Sequence, residues 1–146
     1  AELEKDYDFE LLVIADQKPS FQLKSLRFVP WNKSSEIDDL LRMDVGIMPL
    51  QNDKWANGKC GFKALQYMAL GIPAIVSPVG VNTQIVNHGY NGWICDTHED
   101  WKKMFTQILS DSSQLVNYSK AARTKIEDHY SVKSNTANFL HLFTNE

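Results

Sequence analysis

Short, unbroken apolar runs recur along this chain, each followed by a stretch whose apolar residues return every three or four positions. A run that is apolar at successive positions suits a strand buried on both faces, whereas 3.6-residue spacing buries one stripe of a helix. Their alternation points to an α/β, Rossmann-like fold, a parallel sheet with helices on both faces. Strands are predicted over residues 9–15, 25–29, 45–48, 74–77 and 93–95. A first helix is predicted behind Ser34 and Ser35, carrying Ile37, Leu40 and Leu41 and ending near Met43. A second, over 62–70, presents Phe62, Leu65, Met68 and Ala69 on one face and stops at Gly71 ahead of Pro73. Thr97 and Asp100 read as a capping pair before Trp101, Met104, Phe105, Ile108 and Leu109. Two more helices are predicted, from about 113 to 128 and from about 133 to 143, with no strand after them.

Length and charge narrow the rest. A chain of 146 residues with 43% hydrophobic content buries one core and is too short for two ordinary domains, so residues 1–146 read as one domain. A net charge of -3 supplies no global field for nucleic acid or an anionic membrane, so neither is expected as a partner. Any anion site must be local. Cys60 and Cys95 sit in segments that read as core-forming and make no metal or redox spacing, which suggests a reducing compartment. No apolar run approaches the ~20 residues of a membrane span, and the start AELEKDYD has no signal-peptide character. The expectation is a soluble, cytoplasmic fragment without an integral membrane segment. Its charged opening resembles the tail of a helix entering a strand, so upstream sequence is expected.

Doubly wound sheets take ligands beyond the carboxyl ends of their strands, which directs attention to Pro30-Trp31-Asn32, the loop 49–59, and Pro78-Val79-Gly80-Val81-Asn82. Lys59, Gly61 and Lys63 surround a predicted helix N-terminus. Cations there oppose the helix dipole, whereas a bound phosphate would be held by lysines, free N–H groups and dipole together. Gly61 would allow close backbone approach, and Gln66 lies on the same face as Lys63 and could bond a sugar hydroxyl. From these residues alone, solvated lysines and a surface glutamine are the simpler reading. Trp31 could stack a base or wedge its loop into the core. Gly80 could offer an N–H to phosphate, although a plain turn is favoured. His88, His98, His129 and His141 are scattered, and no dinucleotide fingerprint, phosphate loop or nucleophile elbow occurs.

The runs DVGIMPL, GKCGFKALQYMALGIPAIVSPVGVNTQIV and HGYNGWI, taken in order and spacing, closely resemble the donor-domain signature of the group 1, retaining, GT-B glycosyltransferases. FELLVIAD and SLRFVPW resemble the preceding strands, and SKAARTKIEDHYS the closing helical segment. The resemblance covers nearly the whole chain and is most specific at its centre. In that family two Rossmann-like domains face each other, the C-terminal one binding the nucleotide sugar and the N-terminal one most of the acceptor. The chain is similar to the C-terminal domain without its first strand and helix. The implied activity is metal-independent hexosyl transfer from a nucleoside-diphosphate sugar to a glycan or lipid-linked acceptor of the cell envelope or an exopolysaccharide. No cofactor is implied. In a longer enzyme a peripheral place at the inner membrane fits the same reading.

The resemblance also assigns residues. Lys63 would carry the catalytic role, stabilising the departing diphosphate, and Pro30, Trp31, Lys59, Gly61, Phe62, Gln66 and Gly80 would hold the donor. Many members place two glutamates eight positions apart at the start of the central helix, one near the transferred sugar and one on the ribose. Here those positions are Gly58 and Gln66, and glycine offers no side chain. Basic residues that follow the first strand in many members are absent, leaving Lys59 and Lys63 to share the pyrophosphate. The last helix of family members returns to the N-terminal domain, so some of Phe139, Leu140, Leu142 and Phe143 are expected to lie exposed. Two alternatives stay open: a nucleotide-sugar epimerase of GT-B architecture, and a non-catalytic flavodoxin-like module.

Overall fold

The computed structural model describes residues 1–144. After a 3-10 turn at Leu3–Lys5 come β1 (Leu11–Ala15), β2 (Leu26–Pro30), α1 (Glu36–Leu40), β3 (Gly46–Met48), α2 (Lys54–Asn57) and α3 (Phe62–Ala69). They are followed by β4 (Ala74–Val76), α4 (Asn82–Ile85), β5 (Gly92–Ile94), α5 (His98–Ser110), α6 (Leu115–His129) and α7 (Val132–His141). All five predicted strands are present and every pairing is parallel.

The strands do not form the single sheet that their pattern suggested. β1 pairs with β2 alone, with Leu11 opposite Leu26 and Ala15 opposite Pro30, while β3, β4 and β5 form a separate sheet in that order. In a parallel pair, alternate residues turn their N–H and C=O to opposite edges. Leu11 N–H donates to the Ser25 carbonyl and the Ala15 carbonyl accepts from Trp31 N–H, so Leu12 and Ile14 present theirs to the other edge of β1. Gly46 and Met48 are bonded toward Pro73 and Ser77 on the β4 side, so Ile47 likewise faces away. Between the sheets lies a cavity of about 650 Å³, lined by Leu12, Val45, Ile47, Tyr67 and Phe105 among others.

Strand β4 shows why its run is apolar throughout. Ala74 and Val76 join Ala64, Met68, Ile85, Val86 and Ala122 in a core beneath α3 and α6. Ile75, on the opposite face, packs with Trp93, Cys95 and Met104 beneath α5. Each such large side chain, once buried, contributes on the order of 1.5–3 kcal/mol, so the three-stranded sheet and its two helix layers hold most of the apolar stabilisation. Trp93 and Tyr118 add a ring contact at 4.3 Å between centroids.

Helix ends follow local chemistry. Gly71, at φ 74°, closes α3, with its N–H on the Met68 carbonyl and the next N–H, of Ile72, on that of Tyr67. The capping box of α5 is present: Thr97 Oγ1 accepts the Asp100 N–H at 3.2 Å and Asp100 Oδ2 accepts the Thr97 N–H at 2.9 Å. At α1 the cap differs from expectation. Ser35 makes no side-chain cap, Asn32 Oδ1 instead accepts from both the N–H and the hydroxyl of Ser34, and the helix ends at Leu40. Cys95 is buried, but Cys60 is exposed, contrary to its core-like surroundings in sequence. Phe139, Leu140, Leu142 and Phe143 are all more than half exposed. Among the described residues no helix is long and apolar enough to cross a membrane.

Candidate functional site

Three strand ends converge on one rim. β2 ends at Pro30, and Trp31 follows with its N–H on the Ala15 carbonyl at 3.0 Å and its side chain 44% exposed. Beyond β3, the Leu50 N–H donates to Ser77 Oγ at 2.9 Å, which ties the loop 49–59 to the end of β4. Within that loop Asp53 caps the unforeseen short helix α2 by accepting the Ala56 N–H at 2.7 Å. The same end carries Lys59, exposed, between α2 and α3.

Gly61 forms the N-cap of α3 at φ 67°, and no side chain caps this helix. Its first N–H groups therefore have no side-chain cap, as an anion site requires. A Cβ at Gly61 would stand 2.3 Å from Ile85 Cδ1, so both the backbone angle and the space select glycine. Phe62 opens α3 and is 60% exposed. Gly80 adopts φ 57° and donates its N–H to Asn57 Oδ1 at 3.2 Å, so that N–H closes a turn and is already used. Asn57 thereby links α2 to the loop after β4, a role that nothing in its local sequence announced.

In the first turn of α3, Lys63 Nζ donates to Gln66 Oε1 at 2.9 Å and to Glu36 Oε1, on α1, at 3.4 Å. The Gln66 amide, the Trp31 indole and the Lys63 ammonium together hold the Glu36 carboxyl below the ordinary carboxylate range. Trp31, Lys63 and Gln66, all named from sequence, are thus brought together, and Glu36 is the member that sequence reasoning used only as part of a helix start. Lys63 is not the free first-turn cation expected, because it already has a carboxylate partner. The exposed Lys63–Glu36 pair contributes little to stability, at most about 1 kcal/mol. Gly58, at φ -80°, is the C-cap of α2, and a Cβ there would meet only the Trp55 and Lys54 carbonyl oxygens at ordinary contact distance. Trp55 itself is 80% exposed. Among the described residues no group of three metal-ligating side chains converges.

The rim is therefore an exposed arc, separate from the cavity between the sheets. It sets an indole, a carboxylate, two lysines and an uncapped helix N-terminus along the carboxyl ends of the strands. The family model for glycosyl transferases group 1 matches residues 12–125, most of the chain. The chain belongs to that family. Among proteins of curated function none matches the chain. Solved structures similar to it include the C-terminal domain of LpcC, a group 1 glycosyl transferase from Francisella tularensis, at TM-score 0.61 and 18% identity over 75% of this chain and 55% of that one. Sucrose-phosphate synthase from Thermosynechococcus elongatus is similar at TM-score 0.69 and 18% identity, over 82% of this chain and 29% of that one. Anabaena Alr3699/HepE, solved in complex with UDP-glucose, gives TM-score 0.61 at 13% identity, over 82% and 32%. At these identities the likeness is one of fold, that of the C-terminal half of GT-B glycosyltransferases, and this group 1 chain spans between about a quarter and about a half of each neighbour's length.

Proposed function

We propose that this chain is the donor-binding half of a glycosyltransferase, holding a nucleoside-diphosphate sugar for hexosyl transfer to a cell-envelope or exopolysaccharide glycan. The observation that carries the reading is the arc from Trp31 through Glu36 and Gln66 to Lys63 and the uncapped start of α3, in a chain of this family. A nucleoside diphosphate is itself an arc of base, ribose and phosphates. Trp31 supplies an exposed aromatic face for the base. Lys63, Lys59 and the helix N-terminus supply cations and N–H donors for the diphosphate. Stabilising the charge that gathers on a departing diphosphate is what such donors do best, and in this reading no metal ion is needed for it. Pro30, Gly61 and Phe62 shape the floor on which the donor lies, while Gly80 supports it indirectly through Asn57. The complex of Alr3699/HepE with UDP-glucose makes a uridine nucleotide the first to try.

The acceptor and the completed active centre belong to a longer enzyme with an N-terminal domain, against which the exposed apolar side chains of α7 would pack. Isolated, the chain is expected to bind a nucleoside diphosphate weakly, with Kd between roughly micromolar and millimolar. It should transfer no sugar. Saturation-transfer NMR of the 146-residue chain against uridine, guanosine, adenosine and thymidine diphosphates tests the proposal. Contact with none of them overturns it, as does turnover by the purified chain. Product analysis on the longer enzyme separates transfer from epimerisation.

A further inference from the structure

The run Leu11–Ala15 is apolar at every position, the pattern of a strand covered on both faces. Strand β4, equally apolar, has that setting, and all three of its residues are buried. Strand β1 has not: each of its residues is only half-buried, and among the described residues β2 is its sole partner. The edge of β1 that carries the free N–H and C=O groups of Leu12 and Ile14 borders the cavity of about 650 Å³ between the sheets. The edge of β3 at Val45 and Ile47 borders it from the other side. None of these four residues is the proline or charged residue with which exposed strand edges are protected. Asp8 and Glu10, ahead of β1, and Arg42 and Asp44, ahead of β3, line the same cavity, so its two walls start at one end. A backbone N–H or C=O left unpaired away from water costs about as much as a lost hydrogen bond, and an extended chain satisfies two facing strand edges at once.

Resting on the proposed function for the longer enzyme alone, we infer that the gap between β1 and β3 is a slot for one further strand, parallel to both and supplied by the same polypeptide ahead of Ala1. Paired on both edges, that strand joins the two sheets into one, in the order β2, β1, inserted strand, β3, β4, β5. One of its faces rests on Tyr67 of α3 and the other on Phe105 and Ile108 of α5, so its side chains are apolar on both. A strand parallel to β1 cannot turn straight into it, and needs a crossover of about a dozen residues or more, usually a helix, that returns to the end where the strands start. Ala1 and Leu3 line the cavity, and Leu3–Lys5 is a helical turn leading to β1, which is where such a crossover finishes. That placement favours a strand of the same molecule over one from a second copy.

Residue-resolved amide hydrogen exchange, measured on the 146-residue chain and on the longer enzyme, tests the inference. In the 146-residue chain exchange should alternate along β1, with Leu12 and Ile14 about ten-fold or more faster than Leu11 and Val13, whose N–H groups face β2. In the longer enzyme the alternation should vanish, and Leu12, Ile14 and Ile47 should become as slow as their neighbours. Alternation that persists in the longer enzyme would leave the slot empty and overturn the inference. Protection of Leu12, Ile14 and Ile47 already in the 146-residue chain would overturn it too. If that protection grows with concentration alongside a dimer, the slot belongs to a second copy; if it does not, the two sheets close on each other directly. Exchange along β1 reads no nucleotide, so its failure leaves the proposed function standing on the saturation-transfer result, and the converse holds as well.

Discussion

Replacing Gly61 by alanine puts a methyl group where the start of α3 has neither the angle nor the room for it. At φ 67° an L-residue with a Cβ loses about 1–2 kcal/mol to contact with its own carbonyl. The new Cβ would also lie 2.3 Å from Ile85 Cδ1, 3.2 Å from Val81 Cγ2 and 3.3 Å from Asn82 Oδ1. Ile85 is 1% exposed, so its side-chain tip turns only within a closed core, and overpacking of this kind costs about 1–3 kcal/mol. Against this stands a gain of about 0.4–1 kcal/mol from a stiffer unfolded chain. The net loss is about 3 kcal/mol, within a range of about 1–5. With a urea slope of roughly 2 kcal/mol/M, the midpoint should fall by about 1.5 M. Gly58→Ala is the control: φ is -80° and the nearest atom is 3.5 Å away, so its midpoint should stay or rise slightly. If the two variants unfold within ~0.5 kcal/mol of each other, the argument from angle and space at Gly61 is wrong.

Lys63→Ala should leave the urea midpoint almost unchanged, because losing a half-exposed ion pair and relieving an unfavourable first-turn cation each amount to ~0.3–1 kcal/mol and oppose one another. Its affinity for the nucleoside diphosphate should drop by roughly ten- to a hundred-fold, less at high salt; a lowered melting temperature with unchanged affinity would move the anion site elsewhere. Asp100 is held below its ordinary value of 3.8 by the Thr97 N–H and hydroxyl, so its stabilising effect is complete above that pH and is lost as pH falls through the depressed value. Asp100→Asn should therefore melt below the wild type at neutral pH, with the gap closing in acid; a gap independent of pH would exclude the carboxylate as its source. Burial, and secondly Asp100, push the Cys95 thiol up to about 11, whereas Cys60 is exposed, so iodoacetamide at neutral pH should label Cys60 alone until denaturant is added.

Local signals were legible and distant ones were not. The run from Ala74 to Val76 announced a strand buried on both faces because burial on two faces leaves no polar position, and the Thr97–Asp100 pair announced its cap because both partners lie within one turn. The helices α2 and α4 fall inside stretches read as loops, since four residues carry too short a period to register. Strand order is not written in any one run, and so the division into two sheets was invisible. Cys60 was misjudged from an apolar neighbour, Phe62, that is itself 60% exposed. Glu36 escaped notice because what matters about it is a partner on α3, 27 residues away, and Asn57 because its partner Gly80 is 23 residues away.

The division of the strands also runs through the candidate site. Trp31 and Glu36 belong to the side built on β1 and β2, whereas Lys63, Gln66 and the start of α3 belong to the side built on β3, β4 and β5. Among the described residues no backbone ladder joins those sides, and at the rim the Lys63–Glu36 pair spans them. A molecule lying from Trp31 to Lys63 is then a fastener as much as a ligand. Its binding free energy would add to the contacts that join the two sheets, and slowed amide exchange in β1 and β2, remote from any contact with phosphate, would be its signature.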